Sequence, residues 1–393
     1  MVVSNRMNQT SRSLRIFSEE PFRIFFPTGL FLGMTGVSLW LLFYFGAGVP
    51  YPGVSHARLM IEGFMGSFVL GFLGTAGPRI LSASPLSLRE VAVIFTLDLL
   101  AAGFHAADAH QIGDVCFVAC LFVFIFAGVN RFRKRKDCPP PNFALVMLGL
   151  LSGIAGAALV AYSENAQYSR PYQFGSALLN QGFILLPILG VSPFFLARLL
   201  DLPLPEAAES RAFPPGWLRQ AAFAAFIGVA VTGSFLIDIF NFPKAAGCVR
   251  LGAIVIYLVV RMPFRGRSFL ASCLRTGVMS ILLGLAVAAF LPNYRIGALH
   301  IVFITGFSFM VFTVAIRVIF GHSGNAALFQ KRLPFFVISG LLLFVAMLSR
   351  LTADLAPHAR IIHLIAAAIC WLLASLLWMT KVIPKVTVTE SNA

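Results

Sequence analysis

The chain has 393 residues, of which 59% are hydrophobic and only 11% charged, and its formal net charge is +15. A soluble globular protein carries about 25% charged residues and a disordered one is poor in aromatics, whereas this sequence has 40 Phe. Both classes are excluded, and the basic excess, which lies between apolar runs, reads as topology and contact with anionic headgroups rather than as nucleic-acid binding.

Taken in chain order, Met1 to Glu20 is polar and basic and does not read as a cleaved signal peptide, because the apolar run after it is long enough to span. A bilayer core needs about 20 apolar residues in helix. Runs of that kind predict about twelve transmembrane helices. They are Phe25–Val49, His56–Gly77, Ser87–Ala107, Gly113–Val129, Phe143–Tyr162 and Phe174–Arg198, then Trp217–Ile237, Ala245–Arg261, Phe269–Phe290, Ile296–Phe320, Leu333–Leu351 and His358–Val382. The expected fold is an all-α polytopic bundle: a tail over 1–24, one helical membrane domain over 25–382, and a tail over 383–393. The loop from Asp201 to Pro215, rich in Pro and acidic residues, divides the domain into halves of about 25–200 and 216–382, between which no sequence repeat is visible.

Basic residues set the orientation. With the N-terminus inside, the inner segments hold about 21 Lys and Arg, including Arg131, Arg133, Lys134, Arg135 and Lys136. The outer ones hold Arg170, Lys244, Arg295, Arg350 and Arg360. This bias places both termini in the cytoplasm.

That topology puts His56, His105, His110, His300, His358 and His363 at outer helix ends and His322 alone on the inner side. Neutral imidazole is the commonest metal and haem ligand, so His56, His105, His300 and His358 are candidate metal ligands; wetted polar groups at helix ends are the plainer reading of each. On the second helix His56, Met60, Gly63, Ser67, Gly71 and Gly74 recur at spacings of three and four and share one face. Small residues in that pattern admit a neighbouring helix, and His56 one turn from Met60 suits haem or copper. Arg58 and Glu62, also one turn apart, are expected to form a structural ion pair. Arg350, Asp354 and His358 are spaced by four, although Pro357 interrupts any helix through them. Asp98, Asp114, Asp238, Arg250, Arg275 and Arg317 are further charges inside spans whose partners the sequence leaves open. No Gly-rich phosphate loop, Cys-x-x-Cys or Cys-x-x-Cys-His is present, so no nucleotide, disulfide framework or covalently attached haem is read.

Four segments resemble the NnrS family of polytopic bacterial membrane proteins that contain haem and copper and are linked to nitric oxide metabolism. They are Pro21-Phe22-Arg23-Ile24-Phe25-Phe26; His56-Ala57-Arg58-Leu59-Met60-Ile61-Glu62-Gly63-Phe64 with Gly71-Phe72-Leu73-Gly74-Thr75-Ala76-Gly77-Pro78; His300 with Arg317 and Gly321-His322-Ser323-Gly324; and Arg350-Leu351. The resemblance implies a multi-pass protein of the bacterial inner membrane that binds haem, with copper as a second cofactor and nitric oxide as its small ligand. It implies cofactor-binding roles for His56, Met60, His300 and His322. Arg58 stands where the family has a second histidine, Leu59 where it has glutamate and Asn325 where it has arginine, which weakens the case for copper. His322 lies about a bilayer thickness from the outer histidines and is therefore either a second site or a structural cap. Two other readings stay open, a secondary transporter of a small solute or ion and a membrane scaffold without cofactor.

Overall fold

In a computed structural model the described residues are 16–199, 210–262 and 268–388. Most of the loop between Asp201 and Pro215, residues 1–15 and 389–393 of the tails, and the inner basic residues Arg265 and Arg267 lie outside them. Twelve long helices run in chain order, with no strand among the described residues: α1 (Phe22–Tyr44), α2 (Gly53–Ile80), α3 (Leu88–Ala106), α4 (His110–Arg133), α5 (Phe143–Tyr162), α6 (Arg170–Pro193 in its apolar part), α7 (Trp217–Ile239), α8 (Pro243–Arg261), α9 (Phe269–Phe290), α10 (Pro292–His322), α11 (Pro334–Leu355) and α12 (Arg360–Val382). Eleven are long and apolar enough to cross a membrane. The exception, α3, has 19 residues but carries Arg89, Glu90 and Asp98. Local chemistry starts several of them. Ser87 and Glu90 form a capping box on α3, Ser268 caps α9, and Pro243 and Pro334 occupy first-turn positions of α8 and α11, where a missing N–H costs nothing.

Burial sorts the helices into two sets. The apolar windows of α2, α6 and α10 are 78%, 72% and 61% buried, against 33% to 50% for the other spans. These three form the centre and the rest surround them. Neighbours in sequence are neighbours around the ring: α3 packs on α4, α4 on α5, α7 on α8, α8 on α9 and α11 on α12, and α12 closes the circle against α1. The chain thus falls into three four-helix units, α1–α4, α5–α8 and α9–α12, with the second helix of each at the centre. The packing therefore follows a period of four helices rather than two halves of six.

Each central helix also contains one stretch of π-helix: Leu59–Met65 in α2, Leu178–Gly182 in α6 and Ile301–Ser308 in α10. A π turn widens the helix and shifts the faces on either side of it, and such turns gather at functional sites. The small-residue face of α2 receives α1, as the spacing of its glycines suggests. A Cβ on Gly71 would lie 2.9 Å from Cβ of Phe25, and one on Gly63 3.2 Å from Cβ of Leu32.

The start of α1 and the segment after α12 meet on one face of the bundle. Buried Arg23, at the start of α1, donates to the carbonyl oxygens of Val386 and Val388 beyond α12 and to His322 O at the end of α10.

Candidate functional site

The three π segments converge on one cavity of about 570 Å³, bounded by α1, α2, α6, α10, α11 and α12. Met60, Ile61 and Met65 reach it from α2, Asn180 from α6, and Phe303, Ile304 and Ser308 from α10. Its volume lies within the range of about 300–1,000 Å³ usual for small-molecule and cofactor sites. His56 and His300, 244 positions apart in sequence (300 − 56), both line it.

Both imidazoles are oriented in the same way. His56 Nδ1 lies 3.0 Å from Gly36 O, on α1, and His300 Nδ1 lies 2.7 Å from Ile296 O, one turn back on its own helix. A carbonyl oxygen only accepts, so each Nδ1 carries the proton, and in the neutral ring each Nε2 keeps its lone pair. Anchoring one ring nitrogen on a carbonyl is how a protein fixes the tautomer and direction of a ligating histidine. Trp40 stands edge-on to His56 and Phe303 edge-on to His300, which limits rotation of both rings. Met60 also lines the cavity, with its sulfur packed toward Gly36, 3.7 Å from where a Cβ there would sit.

A cationic edge completes the cavity. Arg350, buried on α11, donates to Asp354 Oδ1 at 3.0 Å, and Arg360 stands 4.0 Å from the same oxygen. Asp354 Oδ2 in turn accepts the Gly297 N–H at 2.7 Å. The carboxylate therefore ties α11 to the start of α10, three residues before His300. Of the series Arg350, Asp354 and His358, only the first two stack. The helix ends at Leu355, and His358 is exposed in the following turn and does not line the cavity.

The opposite side of α2 holds a second polar centre. Arg58 Nε lies 2.7 Å from Asp114 Oδ1 and 3.4 Å from Glu62 Oε1, so the expected Arg58–Glu62 pair exists but Asp114 on α4 is the closer partner. His105 Nε2 lies 2.9 Å from Glu62 Oε2 and 3.9 Å from Asp114 Oδ1. All four side chains are buried. One imidazole and two carboxylates at this spacing have the makings of a metal site, but the Arg58 guanidinium already supplies a cation to both carboxylates. His105 is thus held here and does not line the cavity.

His322 lies on the far face, among the terminal contacts. Its Nδ1 is 2.6 Å from Glu20 Oε1, which also accepts from Arg79 Nη2 at 2.8 Å, and its ring packs edge-on to Phe22. Burial alone would raise the Glu20 carboxyl. The hydrogen bond and charge of His322, with the guanidiniums of Arg79 and Arg23, outweigh it and hold the group at about 2.

Other intramembrane charges also find partners. Arg250 bonds Ser234 Oγ, Gln181 Oε1 and Asp238 Oδ2, and Arg295 bonds Asp238 Oδ1. Asp98 accepts from Ser67 Oγ at 2.6 Å, and Arg317 lies over the Phe329 ring. Sequence reasoning passed over Asn180, whose signal is an amide pair, Asn180-Gln181, inside an otherwise apolar span. The two, adjacent on the helix, point apart: Asn180 faces the cavity while Gln181 holds Arg250.

The family model described as NnrS protein matches residues 16–388. No curated protein matches the sequence.

Proposed function

The chain belongs to the NnrS family, and from that premise we propose that it is a haem-binding protein of the bacterial inner membrane that binds or transforms nitric oxide, with His56 and His300 as the haem ligands. The observation that carries this reading is the pair of imidazoles, brought from two central helices to one cavity, each with Nδ1 committed to a backbone carbonyl and Nε2 left with its lone pair. The rest of the donor set fits as well. The apolar walls supply the dry surroundings a porphyrin needs, and Arg350 and Arg360 supply cations for its carboxylates.

A bound haem would supply a redox-active iron, which could take a diatomic ligand when only one of the two imidazoles is bound to it. The residues of the chain do the rest. Trp40 and Phe303 keep the two rings from turning, Asp354 fixes the start of α10 under His300, and the apolar side chains exclude water. Copper finds less support here. At the place of the family's second histidine, Arg58 turns away from the cavity into the Glu62 and Asp114 carboxylates, and a guanidinium has no lone pair to give a metal.

The test is the optical spectrum of the purified protein, oxidised and reduced, beside His56→Ala and His300→Ala. A Soret band that weakens in either variant is expected. Folded protein from haem-replete cells that is colourless, or a band unchanged in both variants, overturns the assignment.

A further inference from the structure

We propose that the buried cluster of Arg58, Glu62, His105 and Asp114 is an intramembrane proton-binding site, filled from the aqueous surface through Asp108 and His110. The charge count comes first. One guanidinium faces two carboxylates, and among the described residues the only other titratable group in direct contact is His105. A low-dielectric interior strongly disfavours an uncompensated charge, so the cluster is neutral only when it holds one further proton, shared among His105, Glu62 and Asp114.

The other two units of the bundle show no such excess. In the second unit Asp238 meets two cations, Arg250 and Arg295, and in the third Asp354 meets Arg350 and Arg360. Among the described residues only the first unit buries more carboxylates than fixed cations at this place. The further groups that interact with it are Asp98 on α3, Glu164 in the turn after α5 and Tyr172 on α6.

The route is the second, independent observation. Asp108, in the turn between α3 and α4, is 58% exposed and lies 2.8 Å from His110 Nε2. The rings of His110 and His105 stack 5.8 Å apart and nearly parallel, and His105 Nε2 reaches Glu62 Oε2 at 2.9 Å. The two Nδ1 atoms, buried and without a hydrogen-bond partner, are the two that a relay must connect, and the proposal places one water between them. Gly113 makes the stack possible, since a Cβ there would come within 2.5 Å of the His105 ring.

The transfer balances as a relay. Asp108, protonated from water, gives its proton to His110 Nε2, and His110 Nδ1 releases one through the bridging water to His105 Nδ1. His105 Nε2–H then passes to Glu62 Oε2. The site gains one proton, the aqueous phase loses one, and each imidazole ends as its other tautomer. The site lies behind α2, on the side away from the cavity, and its operation does not depend on what the cavity binds.

Infrared difference spectroscopy of the full-length protein, stepped between pH 8 and pH 5 in H2O and in D2O, tests it. Wild type is expected to show a proton-uptake signal from a carboxyl or imidazole that exchanges with solvent. Asp114→Asn leaves one guanidinium against one carboxylate and should abolish that signal; Glu62→Gln gives the same count if Asp114→Asn fails to fold. His110→Gln should keep the signal but slow its exchange by roughly a hundredfold, the low end of what a positioned proton carrier contributes. A signal that survives both neutralising variants overturns the site, and wild-type exchange in His110→Gln overturns the route.

Discussion

What a histidine does in this bundle is decided by what its Nδ1 touches. In His56 and His300 that atom meets a backbone carbonyl, which leaves Nε2 free for the ligand role proposed above. In His322 it meets Glu20, and the ring becomes part of a clasp. In His105 and His110 it meets nothing, and the ring can carry a proton. All seven histidines were visible in the sequence, and position along a span separated His322 from the rest. Partnership could not be read, because Gly36, Glu20 and Asp114 are brought to these side chains from other segments of the chain. The same holds for Arg58, whose one-turn spacing from Glu62 was legible while its shorter contact, to Asp114, was not. Removing one partner from a buried ion pair leaves the others uncompensated, so Arg58→Ala should lower stability by about 3–5 kcal/mol. Thermal unfolding in detergent measures this, and restoring part of the loss by adding Asp114→Asn would separate charge from packing.

At the scale of elements, the π turns decide the site. Helix periodicity places Met60 and Met65 of α2 on different faces, about 140° apart, yet both line one cavity because a widened turn lies between them. An α-helix advances about 100° per residue. Deleting Gly306 from the π segment of α10 should therefore restore α-helical register and swing His300 out of the cavity. The variant is expected to insert and fold but to lose the Soret band; a retained band would show that the π turn is dispensable. Apolar run length made the spans readable, α3 among them in spite of its three charges. The π turns left no sequence signal, since they arise where helices packed on several sides leave no room for regular register.

For the whole molecule, the closed ring brings α1 against α12, and the Glu20, Arg23, Arg79 and His322 network fastens the start of α1 to the ends of α2 and α10 and to the segment after α12. The Glu20 carboxyl, ordinarily near 4.5, is held at about 2 in the fold. A depressed carboxyl contributes stability that is fully present above its ordinary value and is lost as pH falls toward the depressed one. Thermal stability in detergent should therefore fall between about pH 4.5 and pH 2, and Glu20→Gln should flatten that part of the profile. An unchanged slope in the variant would remove Glu20 as its source.

Composition and run length determined by themselves that this chain lives in lipid as about twelve helices, because backbone polar groups in a bilayer must be satisfied within each segment. Short motifs determined the family. The tertiary structure decided which helices are central, that the packing repeats every four helices, and which of the marked side chains meet. Contacts between helices depend on rotation and register, set by the packing of many small apolar surfaces at once, and no single segment of sequence carries that information.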